Sequence, residues 1–518
     1  MPRKTINELD NELVIPGLHG ILGMLNSILG RREIMAQKWW IKHCLENHPA
    51  CQPRVSSRDS SCFLPTRLVD VRSYPKIRLV LKEELPEDSA KHWKYTALSY
   101  CWGNSMPEEG KTTQKTLDAR RKSIHIAQLP PTLRDAIKLT HNLGVPFVWI
   151  DSLCILQLSK DDKDDNTDWN YEPSTMSQVY SRAYVTIAAA VGNHCGVSFL
   201  RTSYTDDDIV AQRNSLTLLE GYYDKYAWLI SFNRSPLLTR GWTLQERELS
   251  PRILHFTRMY VIWECHEYVC FYLRPLRPWS TPRVQLGDLG NSTYLWRFRC
   301  FDRSSRANRS RERNWYFETW RRMVEDYSTR RLTLATDKLP AIAGLADAVQ
   351  EVVKSDYLAG LWRDDLIAGM LWFKLPSRSC RGSVVHDFYY APSWSWAWTD
   401  FPIRFVVRND NYAEVLEVRT TSVGAKRRLK FVRLRTKAFD ISCNEPYVQI
   451  YLDDGRTNND VSGAMTVCIL QTSLGRFGFG LILEPVESRL LCYKRVGMVA
   501  NLRCELYENL EYQEITII

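Results

Sequence analysis

The segment Thr239-Arg-Gly-Trp-Thr-Leu-Gln-Glu-Arg-Glu-Leu-Ser250 carries the most informative carboxylate in the chain. With Thr239 as a helix cap, Trp242, Gln245, Glu246 and Leu249 fall at i, i+3, i+4 and i+7, on one stripe. Trp242 and Leu249 turn that stripe toward a core and carry Gln245 and Glu246 with them, while Arg247 and Glu248 are expected to point elsewhere. A carboxylate on an inward face is costly unless it is paired or lines a cleft. Glu246 is therefore either an ion-pair partner of Arg240 or Arg252, or a reactive group. A second carboxylate, Asp151, ends the apolar run Pro146-Phe-Val-Trp-Ile-Asp151. Ligands of open α/β sheets gather outside such strand ends, although the same aspartate can equally cap the next turn.

Other constellations are weaker. Cys154 with a distant His141, His194 or His255 could be drawn as a thiol nucleophile. It is flanked by Leu153 and Ile155, and nothing adjacent lowers its pKa, so it reads as a buried structural thiol. The acidic run Asp161–Asp168 lacks the glycine and the terminal glutamate of a calcium loop. No phosphate-binding P-loop motif occurs, and Gly17, Gly20 and Gly23 lack dinucleotide-fingerprint spacing. The 14 cysteines include no CxxC and no pair of Cys/His motifs at zinc spacing, so no metal site is expected. Scattered thiols such as Cys62, Cys101, Cys195, Cys265 and Cys270 fit a reduced core and a reducing compartment, most simply the cytoplasm.

The elements that would position Glu246 and Asp151 are legible as an alternation. Tyr95–Cys101 reads as a buried strand. Thr132 with Asp135 suggests a capping box for a helix that ends at Gly144, with Leu133, Ala136, Ile137 and Thr140 inward. Residues 146–151 form a second strand, and Met176, Val179, Tyr180 and Ala183 mark a second helix before the strand Tyr184–Ala190. Strand, helix, strand, helix, strand predicts an open α/β sheet. Further on come helical segments at Trp320–Asp326 and Leu339–Val353, then short β runs at Phe431–Leu434, Val448–Tyr451 and Leu481–Leu483. Ser393-Trp-Ser-Trp-Ala-Trp398 reads as a strand with three indoles on one face, packed in a core or a domain interface. The chain divides into an N-terminal extension with an amphipathic helix (1–60), an α/β domain (61–275), an Arg-rich connection (276–335) and a mixed α+β domain rich in β (336–518). Within the extension, Leu18, Ile21, Leu22, Leu25, Ile28 and Leu29 share a helical stripe too short and too polar for a membrane span.

Taken together, Tyr95-Thr-Ala-Leu-Ser-Tyr-Cys-Trp-Gly103, Leu129-Pro-Pro-Thr-Leu-Arg-Asp-Ala-Ile137 and Trp149-Ile-Asp-Ser-Leu-Cys-Ile-Leu-Gln157 resemble the three blocks of the fungal heterokaryon-incompatibility (HET) domain. Arg240-Gly-Trp-Thr-Leu-Gln-Glu246 and Ser250-Pro-Arg252 continue the pattern, which covers about 91–275; Cys101 stands where HET proteins more often have Val. Asp337–Gly344, Tyr357–Trp362 and Pro392–Trp396 resemble the region that commonly follows the domain. The resemblance implies a part in non-self recognition, regulated cell death and fungal innate immunity. HET domains are in turn similar to Toll/interleukin-1 receptor (TIR) domains, which implies a flavodoxin-like, open, mostly parallel sheet. Many TIR domains cleave the nicotinamide–ribose bond of NAD with one glutamate in a W-C-x-x-E motif. Trp242-Thr-Leu-Gln-Glu246 keeps the Trp and the Glu, with Thr243 replacing the Cys.

By that resemblance Glu246 is the catalytic residue of a NAD hydrolase. Ser99, Tyr100, Trp102, Asp151 and Trp242 would be substrate-binding; NAD would be the substrate, with no metal or resident cofactor, and activation would come from a protein partner or self-association. The alternative is a non-catalytic assembly module. Nucleic-acid binding is suggested only by the formal net charge of +10. That charge is localised: residues 91–275 carry 21 basic and 20 acidic side chains, whereas Lys426–Lys437 holds seven basic and none acidic. Alternation with Leu429, Phe431 and Leu434 makes the latter a strand with a basic solvent face.

Overall fold

The computed structural model describes residues 18–51, 63–85, 93–157, 167–200, 232–258, 260–273, 283–285, 309–375, 391–406, 410–423, 426–442, 448–453, 464–473, 476–486 and 491–518. The chain separates into two compact units, Met1–Leu238 with Glu246–Asp302, and Thr239–Gln245 with Arg303–Ile518.

The first unit is built on a sheet of nine strands: β1 (Arg67–Asp70), β2 (Arg78–Leu81), β3 (Tyr95–Ser99), β4 (Phe147–Trp149), β5 (Val185–Ala188), β6 (Arg252–Phe256), β7 (Tyr260–Cys265), β8 (Tyr268–Leu273) and β9 (Arg283–Gln285). Their order is β2-β1-β4-β3-β5-β6-β7-β8-β9. The centre, β4-β3-β5-β6, is parallel, and antiparallel strands extend it on both sides. Every residue of β3, β4 and β5 is buried, as parallel strands covered on both faces require. The expected alternation is therefore present. The helix Pro131–Leu143 joins β3 to β4, and the helix Thr167–Arg182 precedes β5. From β3 the chain moves to β4 on one side; from β4 it returns to β5 on the other. The carboxyl ends of β3 and β5 thus form a switch point, where successive connections diverge and leave a crevice.

Gly144 ends the first helix at φ +79°, donating to the Thr140 and His141 carbonyls. The expected capping box is not formed. Pro130 holds the cap position and Pro131 opens the helix, so Thr132 already lies inside the first turn. Thr132 Oγ1 instead donates to the Val197 carbonyl (2.6 Å), and Asp135 accepts from Ser198 Oγ (2.6 Å) and the Leu200 amide (2.9 Å). Both residues fasten the loop after β5 to the helix start. The acidic run is described only at its end. There Asp168 pairs with the buried Arg67 (2.6 Å) and accepts from the Leu156 amide (2.7 Å), while 158–166 lie outside the described residues.

The N-terminal helix, Leu18–Asn47, is longer than its apolar start suggested. The side chains of 18–30 lie outside the described residues. Farther along, Gln37, Trp40, Ile41 and Cys44 form a buried stripe at spacings of three and four. Trp40 stacks on Tyr272 (5.4 Å between centroids) and Gln37 Nε2 donates to the Tyr272 hydroxyl (2.8 Å). No helix among the described residues is long and apolar enough to cross a membrane.

The second unit carries two long helices, Arg309–Ser328 and Pro340–Val353, and is rich in β. Its main sheet joins Asp410–Asn411, Glu414–Val423, Lys426–Thr436, Ala438–Ser442, Gln449–Leu452, Ala464–Ser473, Phe477–Pro485, Cys492–Arg503 and Gln513–Ile517. The basic strand Lys426–Thr436 pairs with Glu414–Val423 along its length and with Gln513–Ile517 only over Val432–Thr436. Val432 and Leu434 point inward and Phe431 does not. A register shift opposite Arg419 and Thr420 changes the alternation at Lys430, as a bulge does. Phe431 is covered by Arg419 and Arg433, 5.5 and 6.0 Å from its ring.

Ser393–Trp398 is not a strand. Ser395 Oγ accepts from the Ala397 amide (3.0 Å) and caps a 3₁₀ turn at Trp396–Trp398, which rotates the indoles apart. Trp394 and Trp396 are fully buried and Trp398 is exposed. The core packing expected of this run holds. Trp396 and Trp320 both donate to the Gly360 carbonyl at 2.9 Å. Gly360 has φ +97°, and a Cβ there would stand 2.5 Å from the Trp396 indole nitrogen.

Candidate functional site

Polar groups from several elements converge at the carboxyl edge of the parallel strands. Ser99 ends β3, buried and paired with Ala188 of β5. Just beyond it, the Tyr100 hydroxyl donates to Ser152 Oγ (2.9 Å) and the Trp102 indole donates to Asp151 Oδ2 (2.9 Å). Asp151 Oδ1 also accepts from the Ser152 amide (2.6 Å), so this aspartate both starts the short helix Asp151–Cys154 and anchors the turn after β3. The third contributor is Tyr180, on the helix preceding β5. Its hydroxyl donates to the Leu98 carbonyl (3.1 Å). Burial, then the neighbouring carboxylates of Glu246 and Asp151, push that hydroxyl well above its ordinary pKa. Burial and Asp151 do the same to Tyr100. Tyr180 thus feels both Asp151 and Glu246, and both tyrosines stay protonated donors.

Glu246 lies on the helix Trp242–Leu249, with 7 % of its surface exposed. Ser250 Oγ donates to the Glu246 carbonyl (2.6 Å). Thr186 of β5 therefore supplies the proton of the Thr186–Ser250 hydroxyl pair (2.6 Å), and the helix end is pinned to the sheet. Thr239 does not cap this helix. It closes a 3₁₀ turn, Pro236–Thr239, ahead of it. Nor do Arg247 and Glu248 point to solvent. Glu248 is buried, and Arg247 reaches Glu264 at 2.8 Å, which in turn meets His255 Nε2 at 2.7 Å. The helix is enclosed on several sides, so charge on its second face is neutralised by partners rather than by water. Arg252, one of the two arginines weighed for Glu246, donates instead to the Tyr184 and Cys51 carbonyls (2.7 and 2.8 Å).

Beside this cluster lies a cleft of about 520 Å³ at the switch point. It is lined by Trp102–Ser105 and Pro107 after β3, by Pro130 and Pro131 at the helix start, and by Asn193–Gly196 after β5. Gly103 is required here, because its φ is +87° and a Cβ would come within 2.6 Å of His194 Cβ. His194 Nδ1 accepts from the Gly196 amide (3.1 Å), so a neutral ring carries its proton on Nε2. Trp102 belongs to both places: it lines the cleft, and its indole nitrogen holds Asp151. Glu246 does not line the cleft.

Residues 95–246 match the family model described as "Heterokaryon incompatibility protein (HET)". The chain carries a HET domain. The matched span opens on β3 and closes on Glu246 itself, so it includes the whole of the cluster above. No curated protein and no solved structure matches the chain.

Of the residues singled out from the sequence, the HET domain brings together Tyr100, Trp102, Asp151 and Glu246, with Ser99 at the adjoining strand end. Trp242 does not join them. It falls in the second unit, where its indole donates to Asp337 (3.1 Å), and Gln245 accepts from the Gly344 amide (2.8 Å). Cys154 is no nucleophile, since burial pushes its thiol up to about 12 and its sulfur accepts from the Ile150 amide. Two participants escaped the sequence reading. Tyr180 was visible only as a helical core position, and His194 only as a distant partner for Cys154. The usable signal for His194 was its place just after a strand of the alternation. A third group missed was Cys44, His48, Cys51 and Cys265, whose ligand atoms lie within 4.8 Å of one another.

Replacing Trp102 with Phe keeps the ring and deletes the donor to Asp151. It should cost about 1–2 kcal/mol, as for a half-buried hydrogen bond to a carboxylate. Chemical denaturation of the purified protein would read this; an unchanged midpoint would mean that the bond does not hold the turn.

Proposed function

We propose that this HET domain, which implies a role in heterokaryon incompatibility, acts as a TIR-like NAD glycohydrolase, breaking the nicotinamide–ribose bond with Glu246 as its single catalytic carboxylate. The observation that carries this reading is the convergence of Glu246, Tyr180, Asp151 and Trp102 at the carboxyl edge of the parallel strands, beside a switch-point cleft. The order β4-β3-β5-β6 supports a flavodoxin-like assignment, in which ligands bind at that edge. A cleft of this volume is within the usual range for small-molecule sites. The chemistry needs little more than one carboxylate. Departure of nicotinamide leaves an oxocarbenium-like ribose, and an anion in a water-poor pocket stabilises it. Trp102 is the partition between cleft and carboxylates, so productive binding requires this indole to move aside. Assembly with a partner or with further copies would supply that change.

One observation favours the second reading, a non-catalytic assembly module: Glu246 is buried away from the cleft wall. The experiment that separates them is direct. Purified full-length protein, concentrated into its assembled form, is incubated with NAD and the free nicotinamide is measured. Turnover that disappears in Glu246→Ala supports the hydrolase. Turnover that survives the substitution removes Glu246 from the chemistry, and none in the assembled wild type while it still triggers cell death supports the module.

A further inference from the structure

We propose that Cys44, His48, Cys51 and Cys265 form a tetrahedral structural zinc site that fastens the N-terminal helix to the β7–β8 hairpin of the first unit. All four residues are buried, and their ligand atoms lie within 4.8 Å of one another. Tetrahedral zinc with Zn–S near 2.3 Å spaces its sulfurs about 3.7 Å apart, so a small contraction closes the shell. Three sulfurs and one imidazole match the Cys3His class of structural sites.

Local structure delivers each ligand. Cys44 and His48 are four residues apart, on one face of the last helical turn, where the His48 amide donates to the Cys44 carbonyl (3.0 Å). The 3₁₀ turn Pro49–Cys51 then curls Cys51 back toward them. Cys265 arrives from far along the chain, at the end of β7, with its sulfur 3.4 Å from His48 Nδ1. That ring is stacked on Tyr268 at 4.7 Å, which fixes its plane.

The surroundings are those of thiolates. The Tyr268 amide donates to Cys265 Sγ (3.3 Å), and amides of the same hairpin turn reach Cys51 and Cys265, from His266 and Glu267 respectively. Arg252 sits behind Cys51, donating to its carbonyl. Three thiolates around zinc leave one net negative charge, which these amides and the guanidinium answer. A disulfide would use two of the three sulfurs and leave the third beside a buried imidazole; all three are free thiols.

The test uses the untagged full-length chain, expressed in zinc-supplemented medium, desalted and assayed by elemental analysis. About one zinc per chain is expected, released in step with titration of the thiols by an organomercurial. It should be retained in Cys492→Ser, a buried thiol elsewhere, and lost in Cys51→Ser and Cys265→Ser. Because a serine variant can fail to fold, His48→Cys gives a second arm. It should keep the metal, and its cobalt(II)-exchanged form should show thiolate-to-cobalt bands displaced from those of the wild type. A metal-free chain with its thiols reduced, a disulfide between Cys265 and either Cys44 or Cys51, or zinc unaffected by both serine variants would each overturn the proposal.

Discussion

Glu246→Gln is expected to lower NAD turnover by the assembled protein about a hundredfold or more, the scale of losing one transition-state electrostatic group. The substitution keeps side-chain volume and removes only charge. Glu246 sits beside Tyr180 and shares that neighbourhood with Asp151, so two carboxylates crowd one buried hydroxyl. Neutralising one relieves like-charge repulsion beside that hydroxyl. Stability should therefore be unchanged or slightly raised, and a melting curve beside the activity assay separates loss of chemistry from loss of fold. A stable variant with wild-type turnover would remove Glu246 from the mechanism. A variant that melts early would give the residue a structural role instead.

Asp453→Ala should destabilise the second unit by about 3–5 kcal/mol, as expected when one partner of a buried ion pair is removed. Arg495 is completely buried, with its guanidinium 3.4 Å over the Trp372 ring. It donates to the Met370 and Trp372 carbonyls (2.7 and 2.5 Å) and reaches Asp453 at 3.0 Å. Burial presses its pKa down to about 10, still far above neutrality, so the cation persists when its counter-ion is deleted. The melting temperature of this unit should fall on the order of ten degrees. Replacing both partners, Asp453→Leu with Arg495→Met, should recover much of the loss, because no charge then remains in the core. A single variant that melts with the wild type, or a double variant worse than the single, would contradict the pairing argument.

The parts of this protein that a one-dimensional pattern can carry were legible. Continuous apolar runs at 95–101, 146–151 and 184–190 became the parallel strands β3, β4 and β5, because strands buried on both faces must be apolar throughout. Gly144 stopped its helix because a left-handed residue is needed there. Spacing on the helix turned Glu246 inward, and strand ends pointed to Asp151. Local cues failed wherever a distant group competed for the same atoms. Thr132 and Asp135 serve the loop after β5 rather than a capping box. Trp394 and Trp396 follow a capped turn into the core, where Ser395 caps the turn through the Ala397 amide and the Gly360 carbonyl takes the Trp396 indole.

Glu246 needed no structure to be chosen: a charge at an inward helical position is already a question about partners. What the sequence alone could not decide was which partners. That Tyr180 feels both Glu246 and Asp151, that Trp242 turns to Asp337 instead, and that Cys265 meets a histidine 217 residues away are long-range facts. Periodicity reports which face of an element is buried. Only the packing of elements remote in sequence reports what that face meets, and that meeting makes a buried carboxylate or thiolate tolerable.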